Sequence, residues 1–192
     1  MPPSAPVCQI KVTITGTRPP IWRRLLVPAD MTLAHLHTIL QIAFGWQESH
    51  LHEFRVGQRS YGPPDPMDFG FGGPLAISEK KTFVGDVLGK KGAKAVYTYD
   101  FGDSWDHAIT VEQVLPPDPA LRYPLCVAGK LHGPPEDCGG LPGFYNFLEA
   151  IADANHPDHD DMTEWYDADF DPLAFSVDEV NAGLARLRRV RK

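Results

Sequence analysis

Tyr99-Asp100-Phe101-Gly102-Asp103-Ser104-Trp105-Asp106-His107 is the stretch on which the reading of this chain turns. Acids, large aromatics, a glycine and a histidine alternate within a single short run. A buried segment does not carry so many carboxylates, because burying an unpaired one is very costly. A solvent loop does not usually interleave Phe101 and Trp105 among its acids. The stretch therefore reads as a fixed, partly buried polar corner. Runs with strand character flank it, Lys94 to Tyr99 before and His107 to Leu115 after, so the corner joins two strands.

Outward from the corner, Cys8-Gln9-Ile10-Lys11-Val12-Thr13-Ile14 alternates apolar and polar residues, the mark of a half-buried strand. A second strand is expected over Ile21 to Val27, and a third over Leu51 to Val56. Between them Thr32 is placed to cap a helix whose apolar positions, Leu33, Leu36, Leu40 and Phe44, step by three and four, with Gly45 as its stop. Residues 57–75 are rich in Gly, Pro and Asp and read as an irregular loop. Thr82 to Leu88 suggests a short helix. In the last third, Phe144, Phe147, Leu148 and Ile151 mark a helix, and His156-Pro157-Asp158-His159 opens a turn or short helix reaching Trp165. Ser176 and Glu179 form a capping box for a final helix with Val177, Val180, Leu184 and Leu187 on its apolar side. Strands with one helix, then strands, then helices argue an α+β fold. The expectation is a single domain over residues 7–192 behind a disordered tail of residues 1–6, with a mainly antiparallel sheet of about five strands and helices from residue 143 onward.

The chain has 192 residues, 43% of them hydrophobic, and a formal charge of −7. An acidic chain lacks the clustered positive charge that generic phosphate-backbone binding needs. The charge is uneven: residues 151–180 hold ten acids and no Lys or Arg, and residues 181–192 hold five bases and no acid. No run of 18 apolar residues suggests a membrane span, and the Pro-rich start lacks the regions of a signal peptide. Cys8, Cys126 and Cys138 are an odd, sparse set that fits a reducing, cytoplasmic setting.

Several constellations carry possible chemistry. On a strand, His50 and His52 would point to one face, so both imidazoles could meet Asp103 or His107 around a divalent transition metal. The bland alternative is structural hydrogen bonding at a sheet edge. Cys126, His132 and Cys138 could hold zinc, although their spacing matches no common zinc pattern. Asp100, Asp103 and Asp106 near His107 could tune a general base, or simply bond the backbone of a turn. Trp22, Arg23 and Arg24 could stack on nucleic acid or a partner peptide, or else pair with acids. No nucleophile elbow, Walker A loop, zinc-protease helix or dinucleotide-binding glycine motif occurs.

Taken in order, Pro20-Ile21-Trp22-Arg23-Arg24, Leu36-His37 with Phe44-Gly45-Trp46, His50-Leu51-His52-Glu53-Phe54, the Tyr99–His107 corner, Pro134-Pro135-Glu136-Asp137-Cys138-Gly139-Gly140 and Trp165 with Phe170-Asp171-Pro172 and Phe175 resemble the plasmid pRiA4b ORF-3-like family. Members are also labelled TnpR-like passenger proteins of insertion elements. The resemblance spans roughly residues 7–188 and implies one α+β domain, with no settled activity. It does not bring a serine resolvase with it, since Ser4 sits in a Pro-rich tail and no separate DNA-reading domain follows the last helix. Where relatives often carry a Cys before the Pro-Pro-Glu-Asp run, this chain has Gly133.

Two function classes follow as expectations. The first is a non-catalytic accessory or binding protein of mobile elements, taking an unknown protein or small molecule. Its polar cleft would draw on Trp22, Arg23, Arg24, His50, His52, Asp100, Asp103, Trp105, His107, Glu136 and Asp137. The second is a metal-dependent hydrolytic enzyme using His50, His52, Asp103 and His107. A DNA-associated, resolvase-like accessory is the remaining alternative.

Overall fold

The alternation in the first strand decides the architecture. Cys8, Ile10, Val12 and Ile14 are buried while Gln9, Lys11 and Thr13 face outward, so the sheet has one covered and one open face. The computed structural model describes residues 5–63, 76–166 and 170–189. Along the chain run β1 (Val7–Ile14), β2 (Trp22–Pro28), α1 (Leu33–Phe44), β3 (His52–Val56), β4 (Arg59–Gly62), β5 (Ile77–Ser78), α2 (Val84–Leu88), β6 (Lys94–Tyr99), β7 (Trp105–Leu115), β8 (Leu125–Lys130), α3 (Gly140–Ala152), α4 (His159–Trp165) and α5 (Val177–Arg189). The strands form one eight-stranded sheet in the order β5-β4-β3-β6-β7-β1-β2-β8. All its pairings are antiparallel except β4 with β5. The fold is α+β.

The buried faces of β1, β2, β3, β6 and β7 meet the apolar sides of α1, α3 and α5 in one core, with Trp105, Tyr97, Tyr99, Phe44, Phe54 and Phe147 its largest buried side chains. The open face is polar and tied across strands. Arg24 on β2 reaches over β1 to Glu112 on β7 with two hydrogen bonds, Nε to Oε2 at 2.6 Å and Nη2 to Oε1 at 2.9 Å. Gln9 donates to the same carboxylate at 2.9 Å.

α1 forms where the sequence predicts. Thr32 Oγ1 accepts from the His35 N–H at 3.3 Å, and Gly45, at φ 84°, turns left-handed so that its N–H returns to the Gln41 carbonyl. A Cβ there would resist that backbone. Replacing Thr32 by Ala should cost about 1 kcal/mol, read as a lower urea midpoint with an unchanged slope.

The strand count differs from the expected five, for local reasons. β4 lies inside the stretch read as irregular, because Gly57 and Gly62 mask a tight hairpin with β3; residues 64–75 of that stretch lie outside those described. β8 follows a Pro-rich segment and contains Gly129, so it carries little strand signature. It holds the sheet edge through β2 and through Asn181 of α5, which accepts from the Cys126 N–H at 2.8 Å and donates to its carbonyl at 2.9 Å.

Candidate functional site

The short linker after α1 delivers the site. Its backbone N–H groups are held by side chains from α1, β6 and the loop before α3. Gln41 Oε1 accepts from the Glu48 N–H at 2.8 Å. The Tyr99 hydroxyl accepts from the Ser49 N–H at 3.0 Å, and Glu136 Oε1 accepts from the Gln47 N–H at 2.8 Å. Just before them, the Trp46 indole donates to the Pro134 carbonyl at 2.9 Å. The linker can make this turn only with Glu48 in the left-handed region, at φ 59°.

His50, the next residue, is set among three carboxylates. Its Nε2 lies 2.9 Å from Asp137 Oδ1, 3.6 Å from Asp100 Oδ2 and 3.7 Å from Glu136 Oε2. The atom is shielded from solvent, yet no hydrogen bond reaches it, so the close approach of Asp137 is not aligned as one. Asp100 comes from the polar corner and Glu136 and Asp137 from the loop before α3. Asp100 and Asp137 are themselves left-handed, each at φ 56°. Asp100 Oδ1 accepts from the Gly102 and Asp103 N–H groups at 2.9 and 3.3 Å, leaving Oδ2 to face His50. The Tyr99 hydroxyl donates to Glu136 Oε1 at 3.0 Å. Burial, and then the Glu136 carboxylate beside it, push that phenol above its ordinary pKa, so it stays a donor.

Among the described residues, the His, Cys, Asp and Glu donors come together as one group, His50, Asp100 and Asp137, all within 4.8 Å of each other. The anticipated quartet of His50, His52, Asp103 and His107 does not gather there. β3 starts at His52, so His50 precedes the strand and the two rings do not share its face. His52 is buried with its Nε2 2.8 Å from Glu79 Oε2, and its ring stacks on His37 with centroids 3.5 Å apart. His107 is fully buried, its Nδ1 2.9 Å from the Trp105 carbonyl and its ring edge-on to Phe44 and Trp46. Desolvation drives its pKa down to about 4. Asp103 accepts from the Gly139 N–H at 3.0 Å and so ties the corner to the loop that carries Glu136 and Asp137.

Trp105 is a core residue, packed near Trp46 and Phe144. Trp22 lies on the open face between Lys11 and Arg24. Arg23 is buried on the covered face. Of the anticipated cleft, the structure thus unites His50, Asp100, Glu136 and Asp137, with Asp103 bracing them. It does not place Trp22, Arg23, Arg24, His52, Trp105 or His107 among them. The Cys126, His132 and Cys138 donors also form no cluster: Cys126 Sγ faces the Ala128 carbonyl, His132 Nδ1 lies 2.7 Å from the Gly133 carbonyl, and burial pushes the Cys138 thiol up to about 12. Gln41, Tyr99 and Glu79 are the residues that sequence reasoning missed. Glu79 acts on His52, 27 residues away, and Tyr99 on Ser49, 50 residues away, so no local pattern reveals their roles, whereas Gln41 acts on the adjoining linker at Glu48, 7 residues on.

The family model for plasmid pRiA4b ORF-3-like protein matches residues 6–179. "Uncharacterized protein y4hQ" of Sinorhizobium fredii is 38% identical over 194 residues, covering 96% of this chain and 97% of that protein. The crystal structure of a protein of unknown function, MM3350 from Methanosarcina mazei Go1, superposes with a TM-score of 0.80 at 36% identity, over 91% of this chain and 97% of the other.

Proposed function

This chain belongs to the plasmid pRiA4b ORF-3-like protein family, and from that premise we propose that it is a binding protein whose polar cleft holds a divalent transition metal on His50, Asp100 and Asp137, with Glu136 as a fourth donor. The observation that carries this is the His50 Nε2 atom, shielded from water, without a hydrogen bond and faced by three carboxylates. Three converging anions repel one another, and no Lys or Arg is paired with them among the described residues. A cation removes that repulsion and gives the imidazole lone pair a partner.

The spacing also suits an ion. Donors about 2.1 Å from a metal stand about 3.0–3.4 Å from each other in octahedral or tetrahedral geometry. The donor separations around Nε2 run from 2.9 to 3.7 Å. One imidazole with carboxylates is a borderline set, which favours zinc, iron or manganese over calcium. The Tyr99 hydroxyl would orient Glu136 from behind, as outer hydrogen bonds do for metal-binding carboxylates. The left-handed backbone at Glu48, Asp100 and Asp137 fits a site whose geometry is imposed by its surroundings.

A role as an accessory of mobile elements, under the TnpR-like label, is part of this reading and rests on the family's plasmid association. Asp137 is 67% exposed at its side chain, so one side of the ion would stay open to water. That feature favours metal-dependent hydrolysis as the second reading. DNA binding has less support, because Arg24 is occupied by Glu112 and Arg23 is buried.

The test is elemental analysis of protein purified without an affinity tag, followed by calorimetric titration with Zn²⁺ and Mn²⁺. One ion per chain is expected. Protein that carries none and titrates silently with both would end the metal reading.

A further inference from the structure

A second cleft, of about 240 Å³, opens between the C-terminal end of α1 and the segment entering α5, with Arg23, Phe44, His132, Ala174, Phe175 and Glu179 in its walls. Arg23 is 3% exposed, yet no carboxylate comes within 4.0 Å of it among the described residues. Its guanidinium is packed between rings, 4.9 Å from the Phe44 centroid and 4.3 Å from that of Phe175. Nε donates to the Ala43 carbonyl at 2.7 Å, and Nη1 to the Trp22 and Lys130 carbonyls at 2.9 and 3.1 Å. These bonds use Nε–H and both hydrogens of Nη1. Nη2 forms no hydrogen bond to a described residue.

Carbonyls and ring faces soften the desolvation of a buried cation but do not neutralise it. Burial accordingly lowers the Arg23 pKa to about 10. Arg24, one residue on, satisfies its charge with a two-point carboxylate contact. Arg23 has the same chemistry and faces a cleft instead. The cleft also receives the start of α5, where Ser176 caps the Glu179 N–H and the helix dipole is positive.

We propose that this cleft binds a small organic carboxylate whose anionic group accepts from the free Nη2 of Arg23. The aromatic sandwich fixes the plane of the guanidinium, so the anion meets a pre-oriented donor, and the apolar walls from Ile42, Phe44 and Val180 take the remainder of the ligand. Glu179 sits in the wall as the opposing charge and weakens binding of a simple anion. The site is separate from the His50 cluster, and its test does not depend on metal.

The experiment titrates acetate, propionate and benzoate, with propionamide and inorganic phosphate as controls, into the full chain, followed by amide chemical shifts. Saturable binding of the carboxylates with a Kd of about 1 mM or tighter is expected, and no binding of the amide. Ala174→Phe, which fills the cleft without touching the Arg23 bonds, should abolish it. Glu179→Gln, an exposed change, should tighten it several-fold. Silence with all three carboxylates, equal response to propionamide, preference for phosphate over every carboxylate, or full binding by Ala174→Phe would each overturn the proposal.

Discussion

His50→Ala and His52→Ala are expected to fail in opposite ways. His50 is half-buried at the cleft, makes no hydrogen bond through Nε2 and contributes little to the core. Its removal should leave the thermal midpoint within a degree or two of wild type, since a surface-type change alters stability by about 0.5 kcal/mol. Metal stoichiometry should fall to near zero, because the imidazole is the only nitrogen donor in the group. His52 is the reverse case. Its ring is sealed between His37 and Phe54, and it is the partner of a Glu79 side chain that is 5% exposed. Truncating it strands that carboxylate in the interior, which costs about 3–5 kcal/mol. The expected result is a protein that is strongly destabilised but binds metal normally whenever it is folded. Parallel calorimetry and thermal unfolding of the two variants check this. Metal loss in His52→Ala at a temperature where it is folded would restore the paired-histidine centre and refute the one drawn around His50.

The contrast shows which parts of the site the sequence makes legible. The polar corner is readable because its composition conflicts with both core and loop, and the conflict is resolved by a left-handed Asp100 whose carboxylate feeds its own turn. α1 is readable because cap, stripe and terminal glycine agree at separate positions. The pairing of His50 with His52 fails because alternation assigns a shared face only within a strand, and β3 begins at His52, two residues too late to include His50. What places the His50 ring is the Gln47–Ser49 linker just before it. Its conformation is dictated by Gln41 of the preceding helix together with Tyr99 and Glu136, which no window around His50 contains. Glu136 and Asp137 enter the reading through family motifs rather than through periodicity, since a Pro-Gly loop has none. The Arg23-Arg24 pair shows the same limit. Neighbouring arginines on a strand must face opposite sides of the sheet, one to Glu112 and one to the core, but which is which depends on register with β1 and β8.

Acid should unfold this protein earlier than its carboxylates alone would. Two imidazoles are kept neutral in the interior. Desolvation, and then the neighbouring His52, lower His37 to about 3. Desolvation lowers His107 to about 4. An unfolded histidine titrates near about 6.5. Below that value the unfolded chain takes up protons that the folded chain refuses, so unfolding gains free energy as pH falls. The stabilisation is therefore complete above about pH 6.5 and is lost progressively down to pH 4, where His107 can charge in place. Each proton changes stability by about 1.4 kcal/mol per pH unit, so the pair should remove about 2–3 kcal/mol between pH 6 and pH 5. That is a large share of a typical net stability of about 5–15 kcal/mol. The surroundings reinforce the effect. Tyr97 offers His37 a hydroxyl and His107 a carbonyl, and no carboxylate touches either ring among the described residues, so desolvation outweighs the carbonyls and the more distant Asp106 that would favour a charged His107. Urea midpoints measured at half-unit steps from pH 7 to pH 4.5 should fall steadily. His107→Gln, which retains an N–H for the Trp105 carbonyl and does not titrate in this range, should flatten roughly half of that slope. A midpoint that stays level from pH 7 to pH 5 in the parent protein would mean that these two rings accept protons without unfolding, and that the interior around Tyr97 is wetter than its packing implies.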